Sequence, residues 1–316
     1  MRRALLVALW FLTGHAQAQT QTLGIGTAPQ GTIGYNIGSA LAKVLAETEQ
    51  LQSRVQPYSG SSAVFPLVNS GEMDLSVGNT LEAQEAANGE GPYAGRKQAN
   101  LRVLAVIFPL NVGLFVKKDS PIRSIADLKG RKVTYGFTAQ VTLKRVVDAI
   151  LANGGIDASF IKTALVPNVI RGADDFIEGK ADAAFFAIGA GKVAEADKSV
   201  GGIRFLALSD EPKAVAAMKK IYPYAYVNEI RPRPNFAGIG VPTKLMAYDY
   251  LIVTGAHVKD DVAYRVTRAM HAHKEKLVAS LGAFSDFDPA AMHKPVPAPF
   301  HPGSLRYYGE KGMVRK

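Results

Sequence analysis

Short apolar runs alternate along this chain with stretches of helical periodicity. "TLGIGTA" (22–28) predicts a buried strand, and "YNIGSALAKVLAETEQL" follows with Ile37, Leu41, Val44, Leu45 and Leu51 on one helical face. Next come the strand "RVQPY", the helical segment "SGSSAVFPLVNSGEMD" and the strand "LSVGN". The same exchange continues through "RKVTYGF", "TLKRVVDAILANGG", "ADAAFFAIG" and "IRFLALS". Such alternation predicts an α/β fold built on parallel sheet.

One small pattern occurs twice. "SGEMDLSVGN" (70–79) and "EGKADAAFFA" (178–187) each place Gly-x-x-Asp before a small or apolar strand. A glycine just past a helix adopts the left-handed conformation that ends it, and the aspartate starts the turn into the strand. The repetition predicts two lobes of like construction. Loops beyond the strands' carboxyl ends form the binding crevice of such sheets, which nominates Asn79 and Thr80 in one lobe and Phe186 to Gly189 in the other.

A second pairing predicts the hinge. "VGLFVKKDSPIRSIADLKG" (112–130) and "YLIVTGAHVKDDVAYRV" (250–266) each read as strand, polar turn and helix start. If these strands cross side by side, lobe I comprises 19–118 plus 247–316 and lobe II comprises 119–246. The expectation is a two-lobed clamshell with paired hinge strands.

The first residues stand apart. "MRR", an apolar run of eleven residues and "HAQAQ", with Ala16 and Ala18 in an A-x-A arrangement, read as a signal peptide over residues 1–18. The apolar run is shorter than the roughly 20 residues a spanning helix needs. Cysteine is absent, which suits an exported chain held by its cores rather than by disulfides. Removing Arg2 and Arg3 lowers the net charge from +10 to +8, and no long basic run remains. That dispersed excess fits solubility and predicts no nucleic-acid partner.

Motifs for catalysis are incomplete. "YSGSSAV" lacks the spacing of a nucleophile elbow. "FFAIGAGKVAE" carries Gly191-Lys192, but Phe186 stands at the first glycine of a phosphate loop and Val193 follows the lysine. His271 and His273 point to different sides of a helix, so no metal site or cofactor is expected. The polar stretch "FHPGSLRYYGEKG" (300–312) reads as a docking helix, with Arg306 and Glu310 as an i,i+4 pair. An exported enzyme acting through Ser61, His301 or Glu310 is the rival of a different class.

The loops "APQGTIGY" (28–35), "YSGSSAV" (58–64) and "YGFTAQVT" (135–142) each join a strand to a helix. Each can present backbone N–H groups at a helix start, where the dipole favours a carboxylate. A serine there is also an ordinary N-cap; the three loops together favour a ligand cleft. The candidate ligand-binding residues are Gly31, Thr32, Tyr35, Ser59, Gly60, Ser61 and Asn79 in lobe I, and Phe137, Thr138, Gln140, Phe186 and Gly189 in lobe II. Phe65, Phe137 and Phe186 suggest an apolar lining, or else pack in the lobes.

Over nearly its whole mature length the chain resembles the TAXI family of TRAP-transporter solute-binding proteins. The resemblance lies in "GYNIGSALAKVLAE", "LVNSGEMDLSVGNTLEAQEAANG", "LRVLAVIFPLNVGLFVKKDSPIRSIADLKGRKVTYG" and "PAPFHPGSLRYYGEKGM". It implies a periplasmic, monomeric receptor of periplasmic-binding-protein type II fold. Such a receptor is not an enzyme. It would capture a small carboxylate-bearing solute, such as an amino acid or dicarboxylate, and deliver it to TRAP membrane subunits driven by an ion gradient. The chain departs from the family pattern in three loops: "GTIGY" precedes Tyr35 without Gly-Gly-Thr, Ala63-Val64-Phe65 stand where an Asn is common, and "GFTAQ" replaces Gly-Ser-Gly-Thr. A receptor of the same fold for tricarboxylates or a thiamine precursor, or one that serves a sensor, is the alternative.

Overall fold

A computed structural model describes residues 22–314; the expected signal segment lies outside the described residues. Ten strands form one continuous sheet: β1 (Leu23–Thr27), β2 (Ser53–Pro57), β3 (Leu75–Asn79), β4 (Leu101–Lys117), β5 (Lys132–Tyr135), β6 (Lys162–Leu165), β7 (Ala183–Ala187), β8 (Ile203–Phe205), β9 (Tyr226–Ile230) and β10 (Thr243–Gly255). Their order is β2-β1-β3-β10-β4-β7-β5-β6, with β8 on β4 and β9 on β10. Strands β1, β2 and β3 pair in parallel at one end, as do β7, β5 and β6 at the other. Near-complete burial of β3 and β7 explains why "LSVGN" and "AAFFA" lack alternation: helices cover both faces.

Those helices are α1 (Ile33–Glu49), α2 (Ser61–Ser70), α3 (Thr80–Asn88), α4 (Thr142–Asn153), α5 (Val169–Ile177), α6 (Gly191–Ser199), α7 (Pro212–Ile221), α8 (Asp260–Ala272), α9 (Lys274–Ser280) and α10 (Pro302–Glu310). In α1 the expected face is buried, and Thr32 caps the start by accepting the Tyr35 N–H. The repeated Gly-x-x-Asp does the same work twice. Gly71 and Gly179 both have positive φ (91° and 74°). Asp74 accepts the N–H of Gly24 at 2.7 Å, and Asp182 accepts that of Lys132 at 2.8 Å. Each aspartate thus ties its strand to the start of the neighbouring parallel strand.

The two ends are joined by β4 and β10, an antiparallel pair of 17 and 13 residues. The first part of β4 pairs with the last part of β10, whose outer edge meets β3. The last part of β4 pairs with β7 and β8, and the first part of β10 with β9. Both strands therefore serve both lobes. This corrects the expected hinge: segments 112–117 and 250–255 lie at opposite ends of the pair and do not face each other. The crossing lies at Pro109–Asn111 against Ala247–Asp249, with a register shift just beyond Asp249. Proline has no N–H to donate to a ladder, so β4 is loosened at its midpoint.

The C-terminal stretch docks α10 on α8. Buried His301 caps α10 by accepting the Gly303 N–H at 3.1 Å, and its other ring nitrogen is 3.0 Å from the Val258 carbonyl. Burial holds its pKa below the ordinary imidazole value. Tyr308 donates its hydroxyl to the Leu104 carbonyl at 2.5 Å, and Ser304 meets Thr267 at 2.7 Å. Gly303 has no room for a Cβ, which would lie 2.1 Å from the Asp260 carbonyl oxygen. Glu310 takes the Tyr264 hydroxyl rather than Arg306, whose guanidinium lies over the Tyr264 ring. These groups are spent on packing.

Candidate functional site

The carboxyl ends of β1, β3 and β7 open onto a cavity of about 80 Å³ between the lobes. At about 30 Å³ per water, that is room for roughly three waters or one small solute. Lobe I contributes Ala28, Thr32, Ile33 and Gly34 from the β1–α1 turn, Gly60 and Ser61 from the start of α2, Val77 to Asn79 from β3, and Glu82 from α3. Lobe II contributes Gln140, Leu143, Val169 and Phe185 to Ala187. The crossing strands add Leu110, Val112, Tyr248 and Tyr250.

Six of the twelve sequence candidates meet there: Thr32, Gly60, Ser61, Asn79, Gln140 and Phe186. The other six are placed elsewhere. Phe137 is fully buried inside lobe II, where its ring packs edge-on against Phe185 at 5.8 Å. Its backbone takes φ 47°, turning the chain so that the side chain points into the core. Phe65 is likewise interior: a Cβ on Gly78 would lie 2.4 Å from its ring, so the glycine in β3 makes its space. Tyr35 and Ser59 are half-buried and Thr138 is exposed, all three outside the lining. Gly189 backs onto the Phe236 ring. Gly31, with φ 89°, instead holds the lobes together by accepting the Lys192 N–H at 3.4 Å.

Further contacts span the lobes. Gly60 faces Gln140, whose side-chain carbonyl accepts the first N–H of α5, from Val169, at 2.9 Å. Thr142 at the start of α4 donates to Glu82 at 3.2 Å. Arg145, one turn on, pairs with Glu85 at 3.1 Å and donates to the Ile221 carbonyl. The lobes are closed on each other across α3 and α4.

Glu82 is the group that sequence reasoning missed. It lies on the buried first turn of α3, where Asn79 caps the helix by accepting the N–H groups of Leu81 and Glu82. The Asn79 amide donates to the Glu82 carboxylate at 2.5 Å. Asn-x-x-Glu is the spacing of a capping box, so the sequence signal for this acid is also that of an ordinary helix start. Burial raises its pKa to about 7; the neighbouring Glu85 adds to the rise, while hydrogen bonds from Ser61 and Thr142 oppose it. Burial likewise raises Tyr248 and Tyr250, so both hydroxyls stay protonated. Behind this floor Thr80 Oγ1, Glu85 Oε2 and Tyr222 Oη are buried without hydrogen-bond partners.

Among the described residues the lining is apolar and aromatic with a few hydroxyl and amide groups and the Glu82 carboxyl, and it includes no Lys, Arg or His. Among the described residues no cluster of three acidic or histidine side chains could hold a metal ion. No described helix is long and apolar enough to cross a membrane. Ser61 has no histidine beside it in the cavity, and His301 and Glu310 belong to the docked C-terminal helix. The arrangement has the room and the polar groups to enclose a small molecule.

A family model described as the NMT1-like family matches residues 25–312. A structure described as a periplasmic transporter superposes with a TM-score of 0.59 at 12% identity, covering 94% of each chain. MatC from Rhodopseudomonas palustris with bound malate gives 0.56 at 11%, covering 83% of this chain and 88% of that one. PhnD1 from Prochlorococcus marinus with methylphosphonate gives 0.55 at 12%, covering 92% and 96%. At these identities the likeness is one of fold: a two-lobed periplasmic-binding-protein architecture of mixed α/β type.

Proposed function

The chain belongs to the NMT1-like family, and we propose that it is an exported receptor for a small carboxylate-bearing solute, delivering it to TRAP membrane subunits. The observation that carries the reading is the cavity itself, walled by both lobes and by the strands that cross between them. Closure around a ligand is favoured only so far as the closed state binds it more tightly. Here a solute would touch Ser61 and Gly60 on one side and Gln140 and Phe186 on the other. Two of the similar structures hold small anions, malate and methylphosphonate, which supports a small anionic ligand.

The carboxylate would rest at the start of α2, where the N-cap Gly60 has no side chain to satisfy the first N–H groups. The solute's apolar part would face Phe185, Phe186, Tyr248 and Tyr250. Lobe I is taken as 19–118 with 247–316 and lobe II as 119–246, the crossing strands being shared. Delivery to TRAP subunits follows from the resemblance of the sequence motifs. The test is calorimetric titration of the purified protein with small carboxylates, followed by mass analysis of the recovered compound. Saturable one-to-one binding of an unchanged compound is the expected result, and conversion to product would make the protein an enzyme instead.

A further inference from the structure

A solute carboxylate in this cavity meets a difficulty. Among the described residues the walls offer it no cationic side chain, yet they already hold the carboxyl of Glu82. Two carboxylates confined in one desolvated site do not both ionise; one of them takes a proton. The surroundings decide which one. The solute's end at α2 meets open N–H groups and a helix dipole, which favour its ionised form. Glu82 is enclosed by the protein, and every element packed against it can be named. Asn79 and Glu85 lie on or beside its own helix, and Ser61 starts α2. Thr142 and Arg145 come from α4, Tyr222 follows α7, and Tyr248 and Tyr250 stand on β10. Tyr93 adds a further buried phenol. The one cation in this set, Arg145, is bonded to Glu85 and the Ile221 carbonyl.

We propose that Glu82 is the proton-linked specificity residue of the cleft: a solute carboxylate binds with a proton on Glu82. The inference rests on the receptor reading of the same cavity. In the complex Glu82 is a neutral acid that donates one O–H, and the solute carboxylate accepts. The proton comes from solvent, so one hydrogen ion is taken up per solute bound when the free carboxyl is ionised. A second carboxylate on the solute would face the same wall with no partner, which restricts the ligand to monocarboxylates.

Glu82 and its neighbours set the pH window. The free acid titrates near 7, and an anionic ligand raises that value further. Affinity is therefore level below about pH 6 and falls up to tenfold per pH unit above about pH 7. A cationic ligand pairing with ionised Glu82 would show the opposite slope.

The probes are propionate and isobutyrate, each beside its uncharged amide, titrated calorimetrically against the full chain between about pH 6 and pH 9 in two buffers of different ionisation heat. The expected result is acid affinity that falls with pH, with one proton taken up, beside flat amide affinity. Glu82→Gln should bind the acids at high pH as tightly as the wild type does at low pH, with no slope. Acids that bind with a flat or rising profile, or a slope that survives in Glu82→Gln, overturn the assignment while leaving the receptor intact. Acids and amides that all fail at every pH overturn the small-carboxylate receptor itself, and the assignment with it.

Discussion

Replacing Glu82 with Gln should change how stability depends on pH, with no ligand present. The free acid has an ordinary value of 4.5 in the unfolded chain and about 7 in the folded one. Well below 4.5 it is neutral in both states and the difference costs nothing. As pH rises from there, the unfolded chain loses its proton first, so the folded state loses stability until pH passes the folded value. At about 1.4 kcal/mol for each pH unit, the full penalty is about 3 kcal/mol, of which about 2 to 3 kcal/mol falls between pH 5 and pH 8. Gln keeps the shape but, with one acceptor oxygen in place of two, gives up one of the hydrogen bonds from Asn79 and Thr142, a loss of about 1 kcal/mol at every pH. Urea denaturation of both proteins at pH 5 and pH 8 reads the difference directly. The variant should match the wild type to within about 0.5 kcal/mol at pH 5 and be the more stable protein by about 2 kcal/mol at pH 8. If wild type and variant change by the same amount between the two pH values, Glu82 is not the buried acid described here.

Arg145→Ala should cost about 1 kcal/mol at neutral pH, since half of this pair is exposed, and less at pH 5. Losing the guanidinium raises Glu85 further above its ordinary range, and at low pH the proton then supplied relieves the burial; a loss independent of pH would contradict this. Gly78→Ala drives a Cβ to 2.4 Å from the fully buried Phe65 ring, so the urea midpoint should drop by about 1–3 kcal/mol equivalent. An unchanged midpoint would mean that Phe65 has somewhere to go. Buried Glu49 accepts from Arg268 at 2.9 Å and also meets Arg265, joining α1 to α8. Glu49→Gln should therefore lower the melting temperature measurably, by about 1–3 kcal/mol of lost charge-assisted bonding, without altering solute affinity.

The α/β class was legible because strands buried on both faces leave short apolar runs between amphipathic helices. The lobe repeat was legible at Gly71-x-x-Asp74 and Gly179-x-x-Asp182, since a left-handed helix end and a backbone-bonding aspartate demand those residue types. The long crossing strand was not. Pro109 and Asn111 break the apolar pattern of β4 in its middle, so its halves read as separate pieces and the pairing was set at the wrong segments. Within the cleft, residues on strand-to-helix turns such as Thr32, Gly60 and Asn79 could be nominated from position alone. Tyr248 and Tyr250 could not, because they reach the cavity only through the pairing of β10 with β3 and β4. Glu82 was concealed by its cap, and Phe137 was misplaced because a left-handed backbone at a bulky residue leaves no mark in the sequence.

The most direct test of the receptor account is a thermal-shift screen of residues 19–316, unfolded and refolded to strip any bound compound. The panel would hold monocarboxylates, dicarboxylates, amino acids and 2-oxoacids. A ligand at about 100 times its dissociation constant adds about 2.7 kcal/mol to stability, a plain rise in melting temperature. Such a rise is expected for a monocarboxylate, one-to-one and with the compound recovered unchanged. A rise confined to dicarboxylates would contradict the role given to Glu82, and a compound consumed during the assay would contradict the receptor.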